Sequence, residues 1–323
     1  MSLEKERFVT SAGVEGRTVA AADMQPRQRL LVIVNPKAGR RRRRRLRATL
    51  DQLRRHGCRI TLRDTTKAGD AESFARAAVE EGAVYDAIVA AGGDGTINEV
   101  VNGLAAVRAV GPAPPPLAVL PLGTANVLAA EIGLDPAPAA VARTILAGPA
   151  RPVTVGMANG RCFTVMAGVG FDAHVVAGVS LRLKRLLGRG AYLVETLRQL
   201  HRFPFHRYAV TVDGVRYDAA SVIVARGRYY GGRFVCAPLA RLDAPDFQVC
   251  LFLKSGRWNA LRYAVALALG RLHRLPDYRI LPGRRLTIVG PAGDPVQGDG
   301  DIVARLPVAI EPSPRRLDLI LPV

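Results

Sequence analysis

From residue 30 the chain alternates between short continuous apolar runs and longer stretches in which apolar side chains recur every third or fourth position. That is how a buried parallel sheet wrapped by helices is written in sequence. Runs at 30–34, 59–63, 85–91 and 117–120 predict strands. Stretches at 46–56, 71–81, 96–104 and 125–132 predict helices, the first closing at Gly57 and the last at Gly133. The alternation of the two predicts a doubly wound α/β half. Beyond the proline-rich stretch 112–116 and a small-residue helix at 138–147, the period shortens to two. Apolar runs at 153–157 and 162–167 flank Asn159-Gly160, and runs at 208–212 and 215–217 flank Asp213-Gly214, two hairpin signals. Further runs at 221–225, 247–253, 285–289 and 302–310, with helical insertions at 175–200 and 257–272, predict a mostly antiparallel, β-sandwich-like second half. The expected fold class is therefore α/β plus β. Its expected parts are a disordered tail over residues 1–28, an α/β domain over 29–150 and a β-rich domain over 151–323 whose last strand is free to return to the first.

Composition sharpens this picture. With 323 residues, 49% hydrophobic and 23% charged, the chain is long enough for a full core, which excludes wholesale disorder. The formal charge is +19, from 46 Lys+Arg against 27 Asp+Glu, and only Lys5, Lys37, Lys67, Lys184 and Lys254 are lysines. Such a surplus attracts nucleic acid, anionic lipid surfaces or phosphorylated small molecules. The apolar run nearest to a span, 260–270, is short and interrupted by Arg262, so any membrane contact is expected to be peripheral. The N-terminal stretch has no signal-peptide core, and four scattered cysteines form neither a C-x-x-C pair nor a zinc spacing. They are expected to be reduced, in a cytoplasmic protein.

The stretch that carries chemistry is Gly92-Gly93-Asp94-Gly95-Thr96-Ile97-Asn98-Glu99, where a predicted strand gives way to a helix. Glycines there let successive N–H groups and the positive helix terminus converge on one point, which suits phosphate. Asp94 would repel a bare phosphate, so its presence points to a divalent cation between carboxylate and phosphate. A glycine loop can also exist for packing alone. Here two more follow predicted parallel strands, Asn35-Pro36-Lys37-Ala38-Gly39 and Pro121-Leu122-Gly123-Thr124-Ala125-Asn126. Carboxyl ends of parallel strands are where open α/β sheets bind ligands.

These three loops resemble those of the diacylglycerol kinase catalytic-domain family of lipid kinases. Further similarity runs through 168–172, Gly188 to Tyr192, Gly231-Gly232, 237–240 and Gly298-Asp299-Gly300-Asp301. The resemblance implies a two-domain kinase that uses ATP and Mg2+, with a lipid alcohol such as a diacylglycerol or sphingoid base held between the domains. It implies nucleotide contacts by Asn35, Pro36, Lys37, Gly39, Arg40, Thr65 or Thr66, Gly92, Gly93, Asp94, Gly95, Thr96, Asn98, Glu99, Gly123, Thr124 and Asn126. It places Asp299 as general base, Asp94 at the metal and Asp301 as a further carboxylate. A Gly-Asp-Gly run is equally an ordinary hairpin turn.

This chain departs from the family pattern at three places. Asp301 stands where glutamate is usual, Val127 follows Asn126 where an aspartate is common, and Ala244 occupies the carboxylate position of a structural magnesium site, leaving Asp243 or Asp246 to substitute. Two basic clusters remain. Arg40 to Arg45 adjoin the first loop and face solvent, ATP or lipid. Arg182, Lys184, Arg185, Arg189, Arg198, Arg202 and Arg207 alternate with leucines and phenylalanines, which suits either an anionic membrane interface or domain packing. No nucleic-acid module accompanies them, so the expected partner is the inner face of a membrane. An NAD kinase shares the Gly-Gly-Asp-Gly-Thr turn and is the second enzyme reading, and a catalytically silent lipid- or nucleic-acid-binding protein is the third.

Overall fold

A computed structural model of the chain describes residues 26–36, 40–82, 84–106, 113–179 and 190–323. Strands β1 (Arg29–Val34), β2 (Arg59–Asp64), β3 (Ala87–Gly92) and β4 (Leu117–Pro121) lie parallel in the order β2-β1-β3-β4. Every residue of β3 and β4 is buried, which is why these strands read as unbroken apolar runs. Helices α1 (Arg40–Arg55), α2 (Asp70–Glu80), α3 (Asp94–Ala106), α4 (Val127–Glu131) and α5 (Pro138–Ala147) complete this half, with α1 packed on α5 and α2 on α3. Chain order reverses between β1 and β3, so the loops after these strands open on a topological switch point.

The second half contains β5 (Ala150–Ala158), β6 (Arg161–Phe163), β7 (Met166–Val169), α6 (Phe171–Gly178) and α7 (Gly190–Arg202). Strands β8 (Tyr208–Val212), β9 (Val215–Ala219), β10 (Ser221–Ala225), β11 (Tyr229–Tyr230), β12 (Phe234–Val235) and β13 (Phe247–Phe252) follow. After α8 (Arg257–Ala268) come β14 (Tyr278–Gly283), β15 (Leu286–Val289), β16 (Pro295–Gly298), β17 (Asp301–Arg305) and β18 (Val308–Ile320). Six of these strands form an antiparallel sheet in the order β14-β13-β10-β7-β16-β17. Its inner side chains, among them Val169, Val224, Val249 and Val296, share one core with Val210, Ile288 and Val308 of the other sheet. This is the β-sandwich. Both Asx-Gly turns carry positive φ at both residues, 46° and 85° at Asn159-Gly160 and 46° and 88° at Asp213-Gly214, as two-residue hairpins require.

Strand β18 joins the halves. It runs parallel to β4 at Leu319 opposite Leu117, and antiparallel to β5 and β15, so one ten-stranded sheet continues from the α/β half into the sandwich. The single run expected at 302–310 is split between β17 and β18. Most of β18 escapes sequence reading because Pro312 and Pro314 look like strand breakers, and they are accommodated at a register shift between Pro312 and Arg316. Arg27 and Gln28, expected to belong to the tail, are held by the α/β half. Arg27 is buried, with Nη1 donating to the carbonyls of Ile145 (3.1 Å) and Gly148 (2.9 Å), and Gln28 N–H donates to Asp86. Residues 1–25 lie outside the described residues, as do 180–189, which carry Gly188 and four members of the second basic cluster.

Candidate functional site

Three loops meet at the carboxyl ends of β1, β3 and β4. Asn35 N–H donates to Ala91 O (3.0 Å) and Leu122 N–H to Gly92 O (2.8 Å), so the loops are laced to one another by backbone. A Cβ on Gly123 would overlap Gly93 Cα, and one on Gly92 would overlap the Thr96 side chain. Glycine is required there by close approach of backbones. Asn126 sits at φ 50° and closes its loop, its Oδ1 accepting from Gly123 N–H (2.7 Å) and its Nδ2 donating to Gly123 O (3.1 Å). Lys37 and Gly39 lie outside the described residues.

Arginines of the long run turn toward this site. Arg42 Nη2 donates to Thr124 Oγ1 (3.0 Å) and Arg45 Nη1 to Pro121 O (3.3 Å), placing two cations from the first turns of α1 against the third loop. Arg40 opens the helix. The sequence pointed to a run of charge beside a loop but not to which members face it, because that depends on helical phase relative to β4.

Several residues of the Gly92–Glu99 signature serve the architecture. Asp94 Oδ1 accepts from the N–H groups of Val127 (2.7 Å) and Leu128 (3.4 Å), capping α4. Removal from water, and secondarily the charge of Asp299, pushes the Asp94 carboxyl up to about 6. Glu99 Oε2 accepts from Ala71 N–H at the start of α2 (3.2 Å). Thr66 gives both its N–H and its hydroxyl to Asp70 (2.8 and 2.7 Å), while Thr65 is buried behind it. Asn98 Nδ2 donates to Cys162 O (2.9 Å) and to Asp299 Oδ2 (3.0 Å). Asn102, on the same face of α3, exchanges hydrogen bonds with Cys162 N–H and O. These asparagines fasten α3 to the sandwich.

Gly298-Asp299-Gly300-Asp301 is the β16–β17 hairpin, with φ of 52° at Asp299 and 87° at Gly300. It is a turn and a site at once. The Asp299 carboxylate accepts five hydrogen bonds. Its Oδ2 takes Asn98 Nδ2, Thr164 N–H (2.6 Å) and Thr164 Oγ1 (2.9 Å), and its Oδ1 takes the N–H groups of Val165 (2.8 Å) and Met166 (3.1 Å). A carboxylate has about four lone-pair sites, so Asp299 is saturated by the protein itself. Asp301, exposed and two residues on, lies so close to the first turn of α3 that a Cβ on Gly95 would collide with its Oδ2. The hairpin thus delivers one clamped carboxylate and one exposed carboxylate to the glycine loops. Thr164, which sequence reasoning passed over, donates twice to the clamp.

The expected metal residues are not brought together. Among the described residues no three His, Cys, Asp or Glu side chains gather as a metal site. Asp243 is bound by Arg241, Nε to Oδ1 at 3.0 Å and Nη2 to Oδ2 at 2.8 Å, and the carbonyls of Leu242, Ala244 and Asp246 accept from Arg226. Guanidinium groups therefore hold the Asp243 carboxylate and the backbone carbonyls of this loop.

Known proteins bear on this arrangement. The model of the diacylglycerol kinase catalytic domain matches residues 29–158, and that of the YegS C-terminal NAD kinase beta sandwich-like domain matches residues 164–321. A protein named as a YegS-like lipid kinase in Pseudomonas aeruginosa is 36% identical over 216 residues, 66% of this chain and 68% of that one. The diacylglycerol kinase of Bacillus subtilis is 33% identical over 242 residues, 73% and 78% of the two chains. A solved structure of a diacylglycerol kinase from Bacillus anthracis superposes with a TM-score of 0.72 at 25% identity, covering 93% of this chain and 98% of that one. Fold, loops and relatives together define a kinase. The chain belongs to the diacylglycerol kinase catalytic-domain family of lipid kinases.

Proposed function

We propose that this kinase transfers the γ-phosphoryl group of Mg-ATP to a hydroxyl of a lipid alcohol of the diacylglycerol or sphingoid type. The observation that carries the reading is the convergence of three glycine loops at the switch point, with Asp301 set against the first turn of α3. The first N–H groups of a helix have no intrahelical partner and favour an anion. Arg42 and Arg45 add positive charge on the third loop. Mg2+ arriving with the nucleotide would suit the hard carboxylate oxygens of Asp94 and offset the charge of the phosphates. In the transfer, the acceptor oxygen bonds to the γ-phosphorus as the bond to the β,γ-bridging oxygen breaks, and the hydroxyl proton passes to a carboxylate. Saturation of Asp299 favours Asp301 as that acceptor, with Asp299 holding the hairpin in place.

Labelled-phosphate transfer from ATP into a total lipid extract, with NAD as a competing acceptor, tests the class. Asp301→Asn is expected to keep nucleotide binding and thermal stability while losing about 10²- to 10⁴-fold in turnover, the range of a general base. Asp299→Asn puts an NH2 against the donors of the clamp and is expected to lower stability first. An Asp301→Asn enzyme with wild-type turnover, beside a folded but inactive Asp299→Asn, would return the base to Asp299.

The acceptor is expected to come from the inner face of the membrane, docked peripherally. No helix among the described residues is long and apolar enough to cross a membrane. Support for docking comes from α8, whose outward face presents Trp258, Leu261, Val265 and, just beyond the helix, Leu269 to solvent, and from α7, which packs on α8 and exposes Leu193, Val194 and Leu197. Arg198, Arg202, Lys254 and Arg257 are exposed on or beside the same helices. Apolar side chains with cationic neighbours match an anionic lipid interface, and such attraction weakens as salt is raised.

A further inference from the structure

Arg226, just past β10, is fully buried. Its guanidinium makes no ion pair within the described residues. Nη2 donates to Leu242 O (2.9 Å) and Ala244 O (2.6 Å), Nη1 donates to Asp246 O (3.3 Å), and the charge lies 5.3 Å from the centre of the Phe247 ring. Carbonyls of alternate residues in one loop, all turned onto one point, are how backbone holds a cation. The family resemblance implies a structural magnesium in this loop with a carboxylate at position 244, and Ala244 supplies none.

We infer that the Arg226 guanidinium is the resident cation of the 242–246 loop, replacing a structural metal ion in this protein. Burial lowers its pKa to about 10 while Asp243 and Asp246 offset part of that, so at neutral pH the group is charged. With this side chain in place no carboxylate is needed at position 244: a planar fork with several donors needs oxygens, and backbone provides them. The loop matters to the site through two short connections. Leu242 O also accepts Thr154 N–H (3.1 Å), and Leu242 lines an apolar crevice with Leu128, Val153, Val155 and Thr164. Arg226 N–H donates to Val165 O (2.7 Å), and Val165 N–H donates to Asp299 Oδ1. The buried cation thereby fixes the crevice wall, and the backbone N–H of the same residue ties that loop to the segment that clamps Asp299.

The test is thermal unfolding of the full chain without nucleotide, a readout independent of turnover, so its outcome leaves the kinase reading untouched. The wild-type midpoint is expected to be the same in EDTA and in millimolar Mg2+, Mn2+ or Ca2+. Arg226→Met, which keeps the bulk and removes the donors, is expected to lower the midpoint by several degrees, and Arg226→Lys to recover part of the loss. Arg226→Met combined with Ala244→Asp is expected to acquire a midpoint that rises with Mg2+. Two results would overturn the inference: a saturable rise of the wild-type midpoint with Mg2+ that Asp243→Asn and Asp246→Asn abolish, or an Arg226→Met protein as stable as wild type.

Discussion

Buried carboxyls set how the molecule answers to pH. Asp172 is buried, with Oδ2 accepting from Gln297 Nε2 (3.1 Å) and Oδ1 lacking a hydrogen-bond partner. Burial pushes its carboxyl up to about 6, the level Asp94 also reaches. An unfolded aspartate titrates near about 4, so between pH ~4 and ~6 the native state holds protons that the unfolded chain has released, and stability falls as pH rises through that window. A shift of this size corresponds to at most about 3 kcal/mol for each group. Asp172→Asn is expected to raise the unfolding midpoint at pH 7.5 and to converge on wild type toward pH 4, measured by thermal melts across that range. A variant less stable than wild type at pH 7.5 would mean that the charge is held by a partner. Single residues are also where sequence reading reached its limit. The glycines of residues 92–95 announced a phosphate loop. That Gly95 is needed to admit Asp301, that Asn98 and Glu99 are spent on neighbouring elements, and that Arg226 holds a distant loop all depend on contacts between residues more than a dozen positions apart.

At the scale of elements, β1, β3 and β4 were legible because burial on both faces leaves a continuous apolar run, β10 and β13 from shorter alternating runs, and the hairpins because Asx-Gly turns are local chemistry. β14 and β16 were not, since Pro282 and Pro295 interrupt their short apolar patterns. The helix spanning the arginine run was legible only from Leu46 onward, because six like charges carry no apolar phase. α8 shows the opposite case. Its sequence was legible as a helical insertion with an apolar run, yet only Tyr263 and Ala266 are buried, and Trp258 is 73% exposed. Replacing Trp258 and Leu261 by serine removes apolar area that is already in water, so the fold is expected to keep its melting midpoint. Co-sedimentation with phosphatidylglycerol vesicles is expected to fall several-fold, with transfer to a water-soluble short-chain acceptor unchanged. Undiminished vesicle binding would move the docking face away from α8.

At the scale of the whole molecule, the division into an α/β half and a sandwich conceals a shared framework. β18 contributes Val308 and Ile310 to the sandwich core and Leu317, Leu319 and Ile320 to the α/β core, while Asn98 and Asn102 of α3 bind β6 and Asp299. Loops of the first half and the hairpin of the second can meet at hydrogen-bond distance only if these ties hold. The two halves are therefore expected to unfold together. Leu319 is nearly inaccessible and sits opposite Leu117 of β4, so Leu319→Ala removes a buried side chain at the seam, a change that costs about 2–5 kcal/mol in packed cores. Because the seam belongs to both cores, the loss is expected to lower one common transition, with far-ultraviolet circular dichroism following the helices and tyrosine fluorescence following the sandwich at the same midpoint. If the two probes separate, with only the α/β signal displaced, the halves are thermodynamically independent, and the alignment of Asp301 with the glycine loops must then come from bound nucleotide instead of from β18.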